Sequence, residues 1–313
     1  MNSMRDELGA ALVRWGKKDP QLVVLDGDLS SSTRTSLFRD AFPSRFFNMG
    51  IAEQDMVGTA IGLTLAGKNV VVGGFTMFTL GRAWEFVRLM GHDSRPVKLC
   101  PTHAALSPGQ DGCSHQCLED LALACSIPHL NVVAPADASE ARQILDFVIP
   151  AREPFFVRLT RNATLQILPQ DYNFEFGRAK EVFPGSDVTI ITFGGMLATA
   201  INAAQILKTR QISAQVVNLS TLKPLDSYSI RKFAQNTGAL VMVEDHNVLT
   251  GIGSQIAALV SQTLPSPIEL VGIQDQFGQS GSEEELKTHY KLTAEEIVKK
   301  AERAVKRKGL LRA

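Results

Sequence analysis

Short, mostly apolar runs alternate along this chain with stretches in which apolar residues recur every three or four positions. The runs are Leu22 to Leu25, Phe46-Phe47, Asn69 to Val72, Val97 to Cys100, Asn131 to Val133 and Phe155 to Leu159. Their length and lack of alternation suit strands buried on both faces of a parallel sheet. Met4 to Trp15, Ala52 to Leu65, about Phe78 to Met90, Leu118 to Cys125 and Ala138 to Val148 have helical spacing, with Ser3 placed to cap the first. Periodicity fails from Gln166 to Pro184, a polar, aromatic stretch punctuated by Pro169 and Pro184, and this reads as a linker. The alternation then resumes with strands at Val188 to Thr192, Ala214 to Leu219, Leu240 to Glu244 and Ile268 to Ile273. Helices are expected after Gly194-Gly195, from Asp226, after Gly251-Ile252-Gly253, and from Ala294 to Arg307. The prediction is an α/β protein of two doubly wound domains, with mainly parallel sheets and helices on both faces. We place the first domain at 1–168, the linker at 169–184 and the second domain at 185–313.

Composition narrows the classes. The chain has 313 residues, and Lys+Arg and Asp+Glu balance at 32 each, so no basic field exists to hold nucleic acid or an anionic membrane. The first residues lack a signal-peptide layout and no apolar run is long enough to span a bilayer, which makes the expected location cytoplasmic. Cys100, Cys113, Cys117 and Cys125 lie near His103 and His115, but a single C-x-H-x-C without a second ligand pair is not zinc spacing. Gly251-Ile252-Gly253 opens a helix yet lacks the third glycine of a dinucleotide fingerprint, so it reads as loop geometry.

The unusual residues fall after strands, where ligands gather in such sheets. Glu53 puts a carboxylate in the first turn of an otherwise apolar helix; favourable placement at the dipole's positive end is the plain alternative to a function. After Cys100 a long glycine-broken loop carries His103, Asp111 and His115, groups able to hydrogen-bond a polyhydroxylated substrate or move protons. Arg161, beyond the strand through Phe156 and Val157, and Arg34, in the matching place after the first strand, can offer planar forks to a small anion, with salt bridging as the competing use. Phe75 and Phe78, three apart, can present two rings to a flat heterocycle or fill the core.

Taken together, G-I-A-E-Q-D-M-V-G around Glu53, G-F-T-M-F-x-x-G-R-A-W-E from Gly74, T-H-x(6)-Q-D-G-x-S-H-Q from Thr102, P-A-D from Pro135 and F-V-R-L-T-R from Phe156 resemble the pyrimidine-binding domain of transketolases. V-E-D-H at Val243 to His246, with G-I-G-S after it, looks like their C-terminal domain. The resemblance spans almost the whole chain and is strongest to the C-terminal subunit of transketolases split into two chains. It implies thiamine diphosphate as cofactor, with Glu53 hydrogen-bonded to the pyrimidine N1' so that the exocyclic nitrogen can take the thiazolium C2 proton. It implies that Phe75 and Phe78 form the pyrimidine pocket, that His103 and His115 line the donor sugar, that Asp111 binds a sugar hydroxyl, and that Arg34 and Arg161 hold a terminal phosphate. The reaction implied moves a two-carbon ketol unit from a ketose phosphate to an aldose.

Three departures stand out. Gly109-Gln110-Asp111-Gly112 replaces the usual G-E-D-G, and Gly73-Gly74 replaces a Ser-Thr before the first aromatic. The family's G-D-G with a downstream Asn, which binds diphosphate and Mg²⁺, does not occur; Asp26-Gly27-Asp28 is its reverse. A separate N-terminal subunit is therefore expected to hold the diphosphate and Mg²⁺, in a homodimer of heterodimers. The alternatives are the β subunit of a 2-oxo acid dehydrogenase E1 component, half of a deoxyxylulose phosphate synthase, and a non-catalytic regulatory subunit. The histidine pair around Q-D-G and the trailing Arg161 favour sugar phosphates over oxo acids.

Overall fold

The computed structural model describes residues 3–163 and 166–312, so the outer domain limits drawn above, at Met1 and Ala313, lie outside it. The chain forms two units, one ending at Phe174 but including Gly278–Ser280, the other made of Glu175–Phe277 and the remainder from Gly281.

The first unit runs α1 (Met4–Lys18), β1 (Leu22–Asp26), α2 (Ser30–Thr33), α3 (Ser36–Ala41), β2 (Phe46–Asn48), α4 (Glu53–Leu65) and β3 (Asn69–Val72). It continues through α5 (Trp84–His92), β4 (Val97–Leu99), α6 (Asp120–Cys125), β5 (Asn131–Val133), α7 (Ala138–Val148) and β6 (Phe155–Val157). Its strands lie in the order β5-β6-β4-β3-β1-β2, every pair parallel. Every residue of β1 is buried, which is why the run shows no alternation. From β1 the chain goes to β2 on one side and then to β3 on the other, so the crevice between the ends of β1 and β3 is the topological switch point.

Ser3 does cap α1, in a capping box with Asp6, and the hydroxyl-rich segment after β1 folds into two short helices, α2 and α3. Two expectations change here. The helix expected over Phe78 to Met90 is broken: Met77–Arg82 forms a π-helical turn, and α5 starts after it at Trp84. The strand expected to run to Leu159 ends at Val157; the Arg158 amide still donates to the Val133 carbonyl at 2.8 Å, and its side chain forms a buried ion pair with Asp120 at 2.7 Å.

The second unit runs β7 (Lys180–Phe183), β8 (Val188–Thr192), α8 (Met196–Thr209), β9 (Ala214–Asn218), β10 (Thr221–Lys223) and α9 (Ser227–Thr237). It ends with β11 (Leu240–Asn247), α10 (Ile252–Thr263), β12 (Ile268–Ile273), α11 (Glu283–His289) and α12 (Ala294–Arg312). Its sheet has the order β12-β11-β8-β9-β7, parallel except for β7, an antiparallel edge strand. That strand lies inside the stretch read as linker, where its half-buried, mixed sequence gives no alternation to detect. Among the described residues, no helix is long and apolar enough to cross a membrane.

Candidate active site

Glu53 opens α4 beside the switch point, and only 3% of its side chain is exposed. Among the described residues one donor reaches it: Arg82 Nη1, at 2.9 Å from Oε2. Among the described residues its other oxygen, Oε1, accepts no hydrogen bond, and it looks onto the glycine turn after β1, 3.8 Å from where a Cβ on Gly27 would stand. A buried carboxylate with one oxygen left over can take a donor from a ligand. The guanidinium of Arg82 also lies over the Phe78 ring, 5.3 Å from its centroid.

The rings expected to act together do meet. Phe75 and Phe78 stack with centroids 6.3 Å apart, His103 lies on Phe75 at 3.8 Å, and His115 stands edge-on to Phe78 at 5.3 Å. Phe75 is buried behind the group, whereas Phe78 is half-buried and offers its surface. This approach depends on Gly74, whose φ of 144° suits no side chain and where a Cβ would stand 2.3 Å from Thr79 Oγ1. Its neighbour is constrained too, since a Cβ on Gly73 would meet Thr35 Cγ2 at 2.7 Å and Asp26 Oδ2 at 2.9 Å. The departure from Ser-Thr at these two positions thus follows from what surrounds them.

His103 is left-handed at φ 63°, and its Nδ1 lies 2.7 Å from Thr102 Oγ1. Burial first, and then the charges of Arg161 and Arg5, push its pKa down to about 3. The ring is therefore neutral at any physiological pH and is able to act by hydrogen bonding. Asp111 pairs with Arg161 at 3.3 Å, and Arg161 also donates to the Pro108 carbonyl at 3.0 Å. Arg34 pairs with Asp6 at 2.9 Å. Both arginines named from the sequence therefore have carboxylate partners, and both pairs stay more than a third exposed, where an ion pair is weak and can be exchanged for a ligand.

Arg5, absent from the sequence-derived set, completes this side. Its pKa is lowered by burial first and then by Arg34, against the Asp6 carboxylate, with Arg161 adding to the lowering, so Arg5 shares its surroundings with two other guanidiniums and one carboxylate. Arg5 Nη1 donates to the Ser32 carbonyl at 3.1 Å, while its buried Nε has no partner among the described residues. An orphaned donor near two further guanidiniums is able to take an anion. In the sequence Arg5 is an ordinary charge in the first turn of a helix; its one local oddity is that a cation opposes the dipole there.

Asp26 holds the arm that carries Arg34. Its Oδ1 accepts from Leu29 N at 2.6 Å, and its Oδ2 accepts from Thr33 Oγ1 at 2.9 Å and Thr35 Oγ1 at 2.8 Å. In the second unit, the helix opened by Gly251-Ile252-Gly253 has its N-terminus taken by the protein's own Glu244, which accepts from Ile252 N at 2.9 Å and Gly253 N at 3.2 Å. A Cβ on Gly251 would stand 2.3 Å from that carboxylate, so the glycine serves the Glu244 cap.

A model of the transketolase pyrimidine-binding domain matches residues 1–166, and one of the transketolase C-terminal domain matches 177–297. The chain belongs to the transketolase family and corresponds to its C-terminal section. It is 40% identical over 301 residues to the "putative transketolase C-terminal section" of Methanocaldococcus jannaschii, covering 95% of this chain and 94% of that one. It is 32% identical to the "6-deoxy-6-sulfo-D-fructose transketolase subunit SqwH" of a Clostridium species (98% and 95% covered) and 32% identical to a subunit of the apulose-4-phosphate transketolase of Phocaeicola vulgatus (98% and 99%). Among solved structures, one described as "split gene transketolase, inactive beta4 tetramer" superposes with a TM-score of 0.87 at 40% identity, covering 97% of this chain and 98% of that one. The Pichia stipitis transketolase shares the fold at a TM-score of 0.80 and 21% identity, with 46% of its length covered.

Proposed function

We propose that this chain is the C-terminal subunit of a thiamine-diphosphate-dependent transketolase, moving a two-carbon ketol unit from a ketose phosphate to an aldose. The observation that carries the reading is Glu53: a buried carboxylate beside two stacked phenylalanines, with Oε1 unengaged. The site fits a protonated or amino-bearing heterocycle, and Glu53 Oε1 would hold the pyrimidine N1' while Phe78, backed by Phe75, packs on the ring. Bound thiamine diphosphate supplies the electron sink for breaking and making a carbon–carbon bond. The chain's own residues do the rest. Neutral His103, with His115, hydrogen-bonds the sugar oxygens, Asp111 binds a sugar hydroxyl, and Arg5, Arg34 and Arg161 hold the terminal anion.

The same reading requires a second polypeptide. The sequence holds no G-D-G with a following Asn, so an N-terminal subunit would bind the diphosphate and Mg²⁺, in a homodimer of heterodimers. Surface chemistry supports a partner here: of its apolar side chains α4 buries only Met56, Val57 and Ala60, and Ile51 and Leu65 are 77% and 65% exposed. The relative solved as an inactive tetramer of β chains agrees with a chain that needs a partner to work.

Ketol transfer should be nil for the purified chain and present once the N-terminal subunit, thiamine diphosphate and Mg²⁺ are added. Glu53→Gln should keep assembly by size-exclusion chromatography but lower turnover at least about a hundredfold, the usual scale for a positioned acid–base group. Robust turnover by the chain alone would refute the split arrangement, and an active Glu53→Gln complex would refute the role of Glu53.

A further inference from the structure

Arg82 is neither a core residue nor an ordinary surface charge. Its side chain is 49% exposed, yet its Nη1 reaches 2.9 Å from a carboxylate that is 3% exposed, and its guanidinium covers Phe78. The backbone that carries it is a π-helical turn, Met77–Arg82, at the point where the hydrophobic pattern would continue a regular helix. Such a turn inserts an extra residue and rotates the residues after it, and turns of this kind gather at functional sites. Here the rotation points Arg82 back toward the first turn of α4.

Glu53 has two oxygens and Arg82 uses one. Nη1 takes Oε2, and Oε1 faces the turn at Gly27, where a side chain larger than hydrogen would enter the space beside it. A ligand can therefore bind Oε1 without displacing Arg82. Displacement would in any case leave a buried carboxylate without its counter-charge, the expensive way to break such a pair. Lysine could not do the same work, because a compact ammonium lacks the extended group that here both approaches a ring and donates to the carboxylate.

Resting on the reading of Glu53 as the pyrimidine-binding acid, we propose that Arg82 is a positioning residue of the thiamine site: it grips Glu53 through Oε2, presents Oε1 to the pyrimidine, and stays in place in the loaded enzyme. Arg82 also lies against Phe78, 5.3 Å from the ring centroid, so one side chain touches both the carboxylate and the aromatic part of the site.

The test uses the complex reconstituted with the N-terminal subunit, carrying Arg82→Gln, Arg82→Ala or Glu53→Gln. Two readouts other than turnover are followed: the dissociation constant of thiamine diphosphate, and the near-ultraviolet circular-dichroism bands that separate the imino and amino forms of the bound pyrimidine. Arg82→Ala should weaken cofactor binding on the order of tenfold, the scale of one hydrogen bond to a charged group, and should deplete the imino band. Arg82→Gln, which keeps a donor and protects folding, should lose less affinity but still lose the band. Guanidinium ion added to the Arg82→Ala complex, below denaturing concentrations, should restore the band. Unchanged binding and bands in both Arg82 variants would overturn the proposal. So would tighter cofactor binding in Arg82→Ala, since it would make Arg82 a competitor that the cofactor expels. A normal band and affinity in Glu53→Gln would instead overturn the underlying reading of Glu53, while a defective Glu53→Gln beside normal Arg82 variants would overturn this inference alone.

Discussion

Removing the Asp26 carboxylate tests whether the arm that carries Arg34, proposed above to hold the substrate's anion, is built from inside the sheet. Asp26→Ala takes the acceptor from Leu29 N–H and from the buried hydroxyls of Thr33 and Thr35. The hydroxyls have second choices, because Thr33 Oγ1 lies 3.2 Å from the Leu29 carbonyl and 3.0 Å from Thr35 Oγ1. The amide of Leu29 has none. The net loss is therefore nearer one orphaned donor plus weakened bonds than three full bonds, about 2–4 kcal/mol, or roughly 5–15 °C in the melting temperature of a unit this size. The arm from Ser30 to Arg34 loses its anchor, so KM for a phosphorylated donor should rise while kcat is held. Differential scanning calorimetry and initial-rate kinetics on the reconstituted complex measure both. Asp26→Asn adds a check on sign. Burial raises the Asp26 pKa against the bonds from Leu29, Thr35 and Thr33, so the folded state holds this proton more tightly than the unfolded chain does. That leg of stability is present below the unfolded value and is lost as pH rises through the folded one; Asp26→Asn lacks it. The deficit of Asp26→Asn relative to the parent should therefore be largest at acid pH and shrink toward neutrality. An Asp26→Ala protein with parental melting temperature and KM, or a deficit that grows with pH, would refute this reasoning.

Arg5→Met removes one of three clustered guanidiniums and should raise KM about 10- to 100-fold for a ketose phosphate, at one charge-assisted hydrogen bond, but hardly for the same ketose without phosphate; equal losses on both donors would remove Arg5 from the anion site. The His103 ring, pushed down to about 3, should not titrate between pH 8 and 5 in NMR spectra of the six histidines, and a midpoint near 6.5 assigned to it would contradict the structure. Because its folded value lies below the unfolded one, His103 favours the folded state fully above about pH 6.5, and that contribution is lost as pH falls toward 3; His103→Asn should flatten that part of the stability profile. Cys113 is exposed, whereas Cys100 and Cys117 are buried and their thiols are pushed up, Cys100 to about 12. A disulfide reagent should thus label Cys113 first in the native chain, and Cys113→Ser should abolish the fast phase; rapid labelling of Cys100 or Cys117 would contradict their burial.

What the sequence determined by itself was everything that depends on neighbours a few residues apart. Runs such as Leu22 to Leu25 and Val70 to Val72 are apolar throughout because both faces of a parallel sheet are covered, and that requirement is written locally, so strand positions and the α/β class were legible. The ordered motifs around Glu53, Gly74 and Thr102 were legible as well, because each sits on the loop after a strand and fold topology draws those loops together. Tertiary structure alone decided the pairings between distant positions. Asp120 and Arg158 are 38 residues apart, Glu53 and Arg82 are 29, and Asp6 and Arg34 are 28, and no periodicity records such partners. Arg5 and Arg82 were invisible for the same reason: each is one charge among many on a helical pattern until the fold puts it beside another group. The π-helical turn escaped because an inserted residue leaves spacing that still reads as a helix, and β7 escaped because an edge strand, half wet, is under no pressure to be apolar. Local physics wrote the elements into the sequence, while charge, which acts through space, acquired its meaning only when the chain had folded.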